Sequence, residues 1–306
     1  MSGKPAMPKS RARYFREQLH QGTLAVPGVC NAFTARLVEN TGFPAAYVSG
    51  AGLAASRALP DIGLLTMTEV VTETRHITRM VHIPVIVDAD TGFGQVHQVS
   101  RTVRELEAAG AVGIQLEDQV LAKRCGHLAG KTLITCEAMC QKIRSAVEAK
   151  QDPDLIIIAR TDARAVEGLD GAIERARAYS AVGADAIFPE ALQSAKEFET
   201  VAGALRDSGS VLVANMTEWG QTPYITIQEF ARMGYHVVLF PMTVFRVMAK
   251  AGEEALLELR QQGTQQAFLN RMQTRQALYE VLEYQKYDQF EEMMKEGQVG
   301  HGNRHA

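Results

Sequence analysis

"PVIVDADTGFG", residues 84–94, sets a run of β-branched residues directly against two aspartates, with two glycines close behind. A short β-branched run of this kind reads as a strand. It is apolar throughout up to Asp88, as expected of a strand buried on both faces of a covered parallel sheet. The same pattern recurs in "LAVPGV" (24–29), "AAYV" (45–48), "VGIQLED" (112–118), "LIIIA" (155–159), "AIF" (186–188), "VLVAN" (211–215) and "HVVLF" (236–240), which makes eight runs in all. Stretches with helical spacing alternate with them: "TEVVTETRHITRM" (68–80), "HQVSRTVRELEAAG" (97–110), "CEAMCQKIRSAVEAK" (136–150), "LDGAIERARAYSAVG" (169–183) and "SAKEFETVAGALRD" (194–207).

Strand–helix units in this number predict a (β/α)8 TIM barrel, with a doubly wound open sheet as the alternative. The residues at the strand ends favour the barrel. The second run leads into "SGAG" (49–52), the third into Asp88 and Asp90, and the fourth into Glu117 and Asp118. Arg160, Thr161 and Asp162 come after the fifth, Glu190 after the sixth, and Asn215, Thr217 and Glu218 after the seventh. A closed parallel barrel brings all of these strand ends to one face, where the active sites of such barrels lie. Beyond the eighth run, "TVFRVMAKAGEEALLELRQQG" (243–263) and "RMQTRQALYEVLEYQKYDQFEEMMK" (271–295) both have helical periodicity. A barrel needs only one of them. The chain is therefore expected to be a single barrel domain over 1–306 with a helical C-terminal extension at about 262–295, whose apolar residues Leu278, Tyr279, Leu282 and Phe290 serve oligomerisation.

The composition sets bounds. Hydrophobic residues make up 46% of the 306 residues, charged residues 22%, and the net charge is −3. That is ordinary for a globular chain, and it supplies no global field that would recruit nucleic acid or an acidic membrane. No apolar run approaches the roughly 20 residues of a membrane span. Four scattered cysteines, Cys30, Cys125, Cys136 and Cys140, do not make a disulfide framework and fit a reducing, cytoplasmic setting. The basic N-terminus, with Arg11, Arg13 and Arg16, reads as a first helix rather than a transit peptide, because Glu17 interrupts the acid-poor pattern. His301 and His305 read as tail residues rather than metal ligands.

Asp88 and Asp90, without histidine or cysteine nearby, suit a hard cation such as Mg²⁺, and Glu117 and Asp118 at the next strand end strengthen that reading. A solvated or capping pair is the alternative. "AKRCGHLAGK" (122–131) sets Lys123 and His127 two residues either side of Cys125, next to Arg124. Neighbouring cations lower a thiol pKa. On an extended loop Lys123 and His127 would face the same side as Cys125, which could then act as nucleophile or as proton donor. An exposed basic loop that happens to contain a cysteine is the other reading. Cys136 and Cys140, at i,i+4 spacing, read as buried fillers. Arg160 is placed to grip a carboxylate, whereas Arg246 and Arg275 read as helix-surface residues.

"KRCGH", with "VDADTGFG" before it and "ARTDA", "FPEA" and "ANMTEWG" after it, resembles the isocitrate lyase and phosphoenolpyruvate mutase superfamily. The chain looks most like that superfamily's methylisocitrate lyase branch, over nearly its whole length. The resemblance implies a (β/α)8 barrel whose last helix is swapped between the subunits of a homotetramer. It implies Mg²⁺ or Mn²⁺ on Asp88 and Asp90, with Asp61 and Glu117 acting through waters. Its substrate contacts fall on Ser49, Gly50, Ala51, Cys125, Gly126, Arg160, Glu190, Asn215, Met216, Thr217, Arg246 and Arg275. Ala51 stands where the family usually has glycine. The activity implied is retro-aldol cleavage of a small tricarboxylate, 2-methylisocitrate, to pyruvate and succinate. Tyr47 is a candidate base, Cys125 protonates the succinate aci-anion, and Lys123 and His127 keep the thiol poised near neutral pH. The alternatives are a sibling lyase for isocitrate, 2,3-dimethylmalate or another 2-hydroxy or 2-oxo acid, and a phosphonate-type mutase or hydrolase. A single methyl in a pocket is worth only about 1–3 kcal/mol, so these sibling substrates lie close together.

Overall fold

The computed structural model describes residues 10–128 and 130–295. His301 and His305 lie outside the described residues. Among the described residues the strands are β1 (Leu24–Val29), β2 (Ala46–Val48), β3 (Val85–Asp88), β4 (Gly113–Glu117), β5 (Ile156–Thr161), β6 (Ala186–Pro189), β7 (Val211–Asn215) and β8 (Val237–Phe240). All neighbours pair in parallel in sequence order, and β1 pairs with β8, which closes the barrel. This is the (β/α)8 architecture expected from the strand–helix alternation, and the open sheet is excluded.

Side-chain alternation along the strands divides the core in two. Val85, Val87, Ile114, Leu116, Ile157, Ala159, Ile187, Leu212, Ala214 and Val238 pack outward against the helices. Val26, Tyr47, Ile86, Ile158, Phe188, Val213, Val237 and Leu239 fill the barrel. Phe15 and Leu19 of the helix Arg11–Leu19 belong to this inner cluster, together with Leu24, Ile156 and Ala186 at the starts of their strands. That helix therefore plugs the N-terminal end of the barrel. Arg16 fixes it there, with Nε donating to the Asp154 carbonyl at 2.8 Å and Nη2 to Asp185 Oδ1 at 2.6 Å. One end is stoppered with hydrocarbon, and the polar strand ends are left at the other.

Three short helices did not emerge from the periodicity: Ala32–Asn40, Gly50–Ser56 and Ile227–Met233. Segments of about two turns show too little repeat to stand out, and their starts are set by caps: the side chains of Asn31, Ser49 and Thr226 accept from backbone N–H groups. The chain divides into a unit ending at Val247 and a second unit starting at Met248. In the second unit the expected last helix is broken. Arg275–Val281 and Tyr284–Lys295 are separate helices, and between them Glu283 adopts φ 53°. Among the described residues no helix is long and apolar enough to cross a membrane.

The loops after β4 and β5 are locked together by Asp118. Its buried carboxylate accepts from Thr161 Oγ1 at 2.7 Å, from the Asp162 N–H at 2.9 Å and from the Tyr179 hydroxyl at 2.8 Å, and it pairs with Arg175 Nη1 at 3.3 Å. Breaking a buried pair strands the remaining charge and costs about 3–5 kcal/mol. Asp118→Ala should lose stability of that order in urea unfolding. A loss below about 1 kcal/mol, the size of an ordinary surface contact, would mean the network does not brace the two loops.

Candidate active site

Alternation places Asp88, Gln115, Glu117 and Arg160 on the inner face at the C-terminal strand ends, where Asp88 is in register with Gln115 and Glu117 with Arg160. After Asp88 the chain turns sharply. Asp90 takes φ 47° and Gly92 φ 85°, and a β-carbon on Gly92 would sit 2.5 Å from Val99 Cγ2. The Asp90 N–H donates to Asp88 Oδ1 at 3.1 Å, and the Glu117 N–H donates to the Asp90 carbonyl at 2.9 Å. Carboxylate oxygens of Asp88, Asp90 and Glu117 thereby come within 4.8 Å of one another, all buried.

This acid pole is short of hydrogen-bond donors. Asp88 is served by the Gly50 N–H at 3.3 Å and Gln115 Nε2 at 3.1 Å. Asp90 Oδ1 and both Glu117 carboxylate oxygens have no hydrogen-bond partner. Lys123 is drawn in. Its ammonium hydrogen-bonds Asp61 and lies 2.9 Å from Asp90 Oδ1, a charge contact without hydrogen-bond alignment. Burial pushes the Asp90 carboxyl up to about 6, with Lys123 opposing and Asp88 adding to the rise. Burial also holds the Glu117 carboxyl well above its ordinary range, although Arg160 and Lys123 oppose it. Burial would lower Lys123, but the carboxylates of Asp90, Glu117 and Asp61 outweigh it and keep the ammonium charged. Orphaned buried oxygens in an all-oxygen donor set fit a hard divalent cation.

Arg160 forms a second pole. Its Nε and Nη2 grip Asp162 at 3.0 and 3.1 Å, its Nη1 reaches Glu190 at 3.1 Å, and its Nε lies 3.5 Å from Glu117. His127 Nε2 approaches Glu190 Oε1 at 3.0 Å, while its Nδ1 accepts from the Gln221 N–H at 2.9 Å. The proton therefore sits on Nε2, facing Glu190. Asn215 Nδ2 donates to both Glu190 oxygens at 3.2 Å. Burial alone would raise the Glu190 carboxyl, but Arg160 and then His127 hold it well below the usual carboxylate range.

The cysteine loop lies across these poles. Gly126 packs so closely that a β-carbon would fall 2.3 Å from Arg160 Nη2 and 2.5 Å from Glu190 Cγ. Cys125 is half-buried, and Arg124 points to solvent. The expectation that neighbouring cations lower the thiol is overturned. Burial pushes Cys125 up, and the hydrogen bond from the His127 backbone and the charge of Arg160 only partly offset it. Lys123 and His127 are engaged with Asp61, Asp90 and Glu190 rather than with sulfur. Burial therefore favours the thiol over the thiolate.

A cavity of about 290 Å³ opens between the poles. Tyr47, Ser49, Ala51, Asp61, Asp88, Lys123, Cys125, Gly126, His127, Arg160, Glu190, Asn215, Thr217 and Arg246 all contribute to its lining, and Ala55, Leu59, Pro60, Leu239, Pro241 and Met242 add an apolar wall. Arg246, read in the sequence as a helix-surface cation, reaches this cavity while pairing with Glu218 at 3.3 Å and covering Trp219 at 5.1 Å. Two expectations need correction. Met216 has the opposite strand phase to Asn215. Its side chain packs in the outer core with Sδ accepting from the Ile225 N–H, and its own N–H is taken by the Leu239 carbonyl. Tyr47 is not set up as a base: its hydroxyl donates to Gln115 Oε1 at 2.8 Å, and burial together with the Asp88 charge pushes the phenol well up. Arg275 opens the helix Arg275–Val281 in the second unit, with an exposed side chain. Of the remaining cysteines Cys140 is buried, with its thiol pushed up to about 11 by burial and Cys136, while Cys136 is only partly covered. Sequence reasoning passed over Gln115, Gln119 and Lys131 and gave Asp162 only as a strand-end residue, because their roles arise from contacts across loops.

A charge-paired cavity at the C-terminal face of a (β/α)8 barrel defines a small-molecule enzyme. The model of the phosphoenolpyruvate phosphomutase family matches residues 15–260. The chain is 50% identical to a 2-methylisocitrate lyase of Aeropyrum pernix over 274 residues, 89% of this chain and 87% of that protein. It is 44% identical to the 2-methylisocitrate lyase of Escherichia coli over 283 residues, 92% of this chain and 95% of the other. Among solved structures it is similar to a 2,3-dimethylmalate lyase described as a PEP mutase/isocitrate lyase superfamily member, with TM-score 0.85, 32% identity and coverage of 98% and 100%. It is also similar to an oxaloacetate acetylhydrolase in complex with 3,3-difluorooxalacetate, with TM-score 0.88, 32% identity and coverage of 97% and 100%. The chain belongs to the phosphoenolpyruvate phosphomutase family. Within that family it is a carbon–carbon lyase.

If the acid pole holds a cation, Asp88→Ala should weaken Mg²⁺ binding by about 10–100-fold in calorimetry while leaving the fold intact. Unchanged binding would exclude this cluster as the site.

Proposed function

We propose that the chain cleaves 2-methylisocitrate to pyruvate and succinate, using Mg²⁺ or Mn²⁺ held by Asp88 and Asp90, with Asp61 and Glu117 behind them. The observation that carries the reading is a cavity lined by both the half-buried Cys125 and Asp88, where Asp88 clusters with Asp90 and Glu117, whose buried carboxylates hold unpartnered oxygens. A volume of about 290 Å³ is at the small end for ligand sites, roughly 300–1,000 Å³, and suits a compact tricarboxylate. The relatives named as 2-methylisocitrate lyases supply the substrate.

Bound at the acid pole, the cation would act as a Lewis acid toward substrate oxygens. The chain's own groups do the rest. Ser49 and the turn after it, with Arg160, Asn215, Thr217 and Arg246, bind and orient the carboxylates. The substrate hydroxyl gives its proton to a base. The bond between the hydroxyl-bearing carbon and its neighbour then breaks, the former becoming the pyruvate carbonyl. The electron pair left on the succinate carbon takes the Cys125 proton. Proton donation needs the thiol form, which burial favours. Arg160 and His127 stabilise the carboxylate charge that builds during cleavage, in a geometry already organised before the reaction.

The second unit exposes Leu256, Leu257, Leu269, Tyr287, Phe290 and Met294. Assembly through this segment into a homotetramer with exchanged C-terminal helices belongs to the same proposal, and light scattering of the full chain reads it. The free thiols Cys30, Cys125, Cys136 and Cys140 fit a reducing, cytoplasmic setting.

The test is a product assay with Mg²⁺, run in parallel on 2-methylisocitrate, isocitrate, 2,3-dimethylmalate and oxaloacetate. Pyruvate from 2-methylisocitrate should dominate, and Cys125→Ser should lower turnover by about 10²–10⁴-fold with the fold intact. Glyoxylate from isocitrate at a comparable rate would overturn the substrate assignment. Near-normal turnover in Cys125→Ser would remove the thiol from the reaction.

A further inference from the structure

Cys125 has a held residue on each side. Before it, Arg124 is fixed through its backbone: its N–H donates to Gln119 Oε1 at 2.9 Å, and its carbonyl accepts from Gln119 Nε2 at 2.8 Å. Gln119 itself is buried and lies at the base of the loop, where it bridges Leu133. After the cysteine, the Gly126 carbonyl accepts from the Lys131 ammonium. Lys131 reaches back across its own loop, its side chain is 1% exposed, and it also pairs with Asp162 Oδ1 at 2.9 Å.

Asp162 is the carboxylate that grips Arg160 through both oxygens, and its N–H is held in turn by Asp118. Lys131 thus connects the peptide after Cys125 to the frame that orients Arg160. A buried ammonium is costly to maintain and persists where it is paired and fully hydrogen-bonded. Its two partners here are a loop carbonyl and the carboxylate behind the reactive pole. From this we propose that Lys131 is a positioning residue for the reaction, fixing the Cys125–Gly126 segment against Arg160 and Glu190. Gln119 supplies the matching constraint on the other side of the cysteine. Lys131 need not touch substrate, and it acts through the loop.

The proposal rests on the reading of Cys125 as the proton donor, so its test includes a measurement that does not depend on that reading. Full-length Lys131→Met keeps the aliphatic stem and leaves Asp162 paired with Arg160. Iodoacetamide alkylation, read peptide by peptide by mass spectrometry, should then accelerate at Cys125 by about tenfold, because the local opening that exposes it becomes easier, while buried Cys30 and Cys140 are unaffected. In the same variant kcat should fall by about 10–100-fold with KM nearly unchanged, as expected when a reacting group is misplaced without loss of substrate contacts. Lys131→Gln keeps an N–H donor without the charge and should lie between the two. It carries the test if the methionine variant does not fold. Alkylation and kcat that both match the wild type would overturn the proposal. So would a fall in kcat with unchanged alkylation, or faster alkylation with unchanged kcat. A failure of the proton-donor reading is distinguished by Cys125→Ser: if that variant turns over normally, the reading falls while the alkylation result for Lys131→Met still reports on the loop.

Discussion

The buried guanidinium of Arg160 is the charge around which the site is balanced. It sits at the end of β5 among Asp162, Glu190 and Glu117, each within 3.5 Å of one of its nitrogens. Without it, these carboxylates would share a low-dielectric barrel mouth with Asp88 and Asp90, where unscreened like charges repel strongly. Burying the guanidinium is itself unfavourable, but the surrounding acids outweigh that and hold it charged. Glu190 is kept ionised as a result, and its carboxylate faces the His127 Nε2–H and accepts at both oxygens from the Asn215 amide. Asp162, held by the same guanidinium, anchors Lys131.

This pairing determines what the cysteine can be. A cation lowers a thiol pKa only if its charge is directed at the sulfur. Lys123 is committed to the acid pole and His127 to Glu190, so burial outweighs the lowering influences at Cys125 and favours its thiol form. A nucleophile would require the thiolate, whereas an acid requires the thiol. The same local sequence is compatible with either role, and the partners of its cations favour the acid.

Much of the fold was legible because the strands are short, apolar and regularly spaced. The eight strands fall within a residue or two of the runs that predicted them, and the inward phase of Asp88, Glu117, Arg160 and Asn215 is a consequence of period-two alternation. The same alternation, applied strictly, would have turned Met216 outward. Less legible was anything that depends on contacts distant in the chain. Lys123 lies 62 positions from Asp61 and Gln221 lies 94 from His127, and neither pairing leaves a local trace. Gln119 and Lys131 look like ordinary loop polarity until the loop closes on itself. The break at Glu283 is likewise invisible in a stretch of uniform helical periodicity.

Whether the site keeps Cys125 as a neutral thiol can be read by titrating its thiolate. The difference in ultraviolet thiolate absorbance between wild type and Cys125→Ser, followed with pH in chelator and without substrate, isolates this one group. The midpoint should lie above that of a free cysteine, about 8.5. A midpoint at or below about 7, the range of thiols activated by nearby cations, would contradict it.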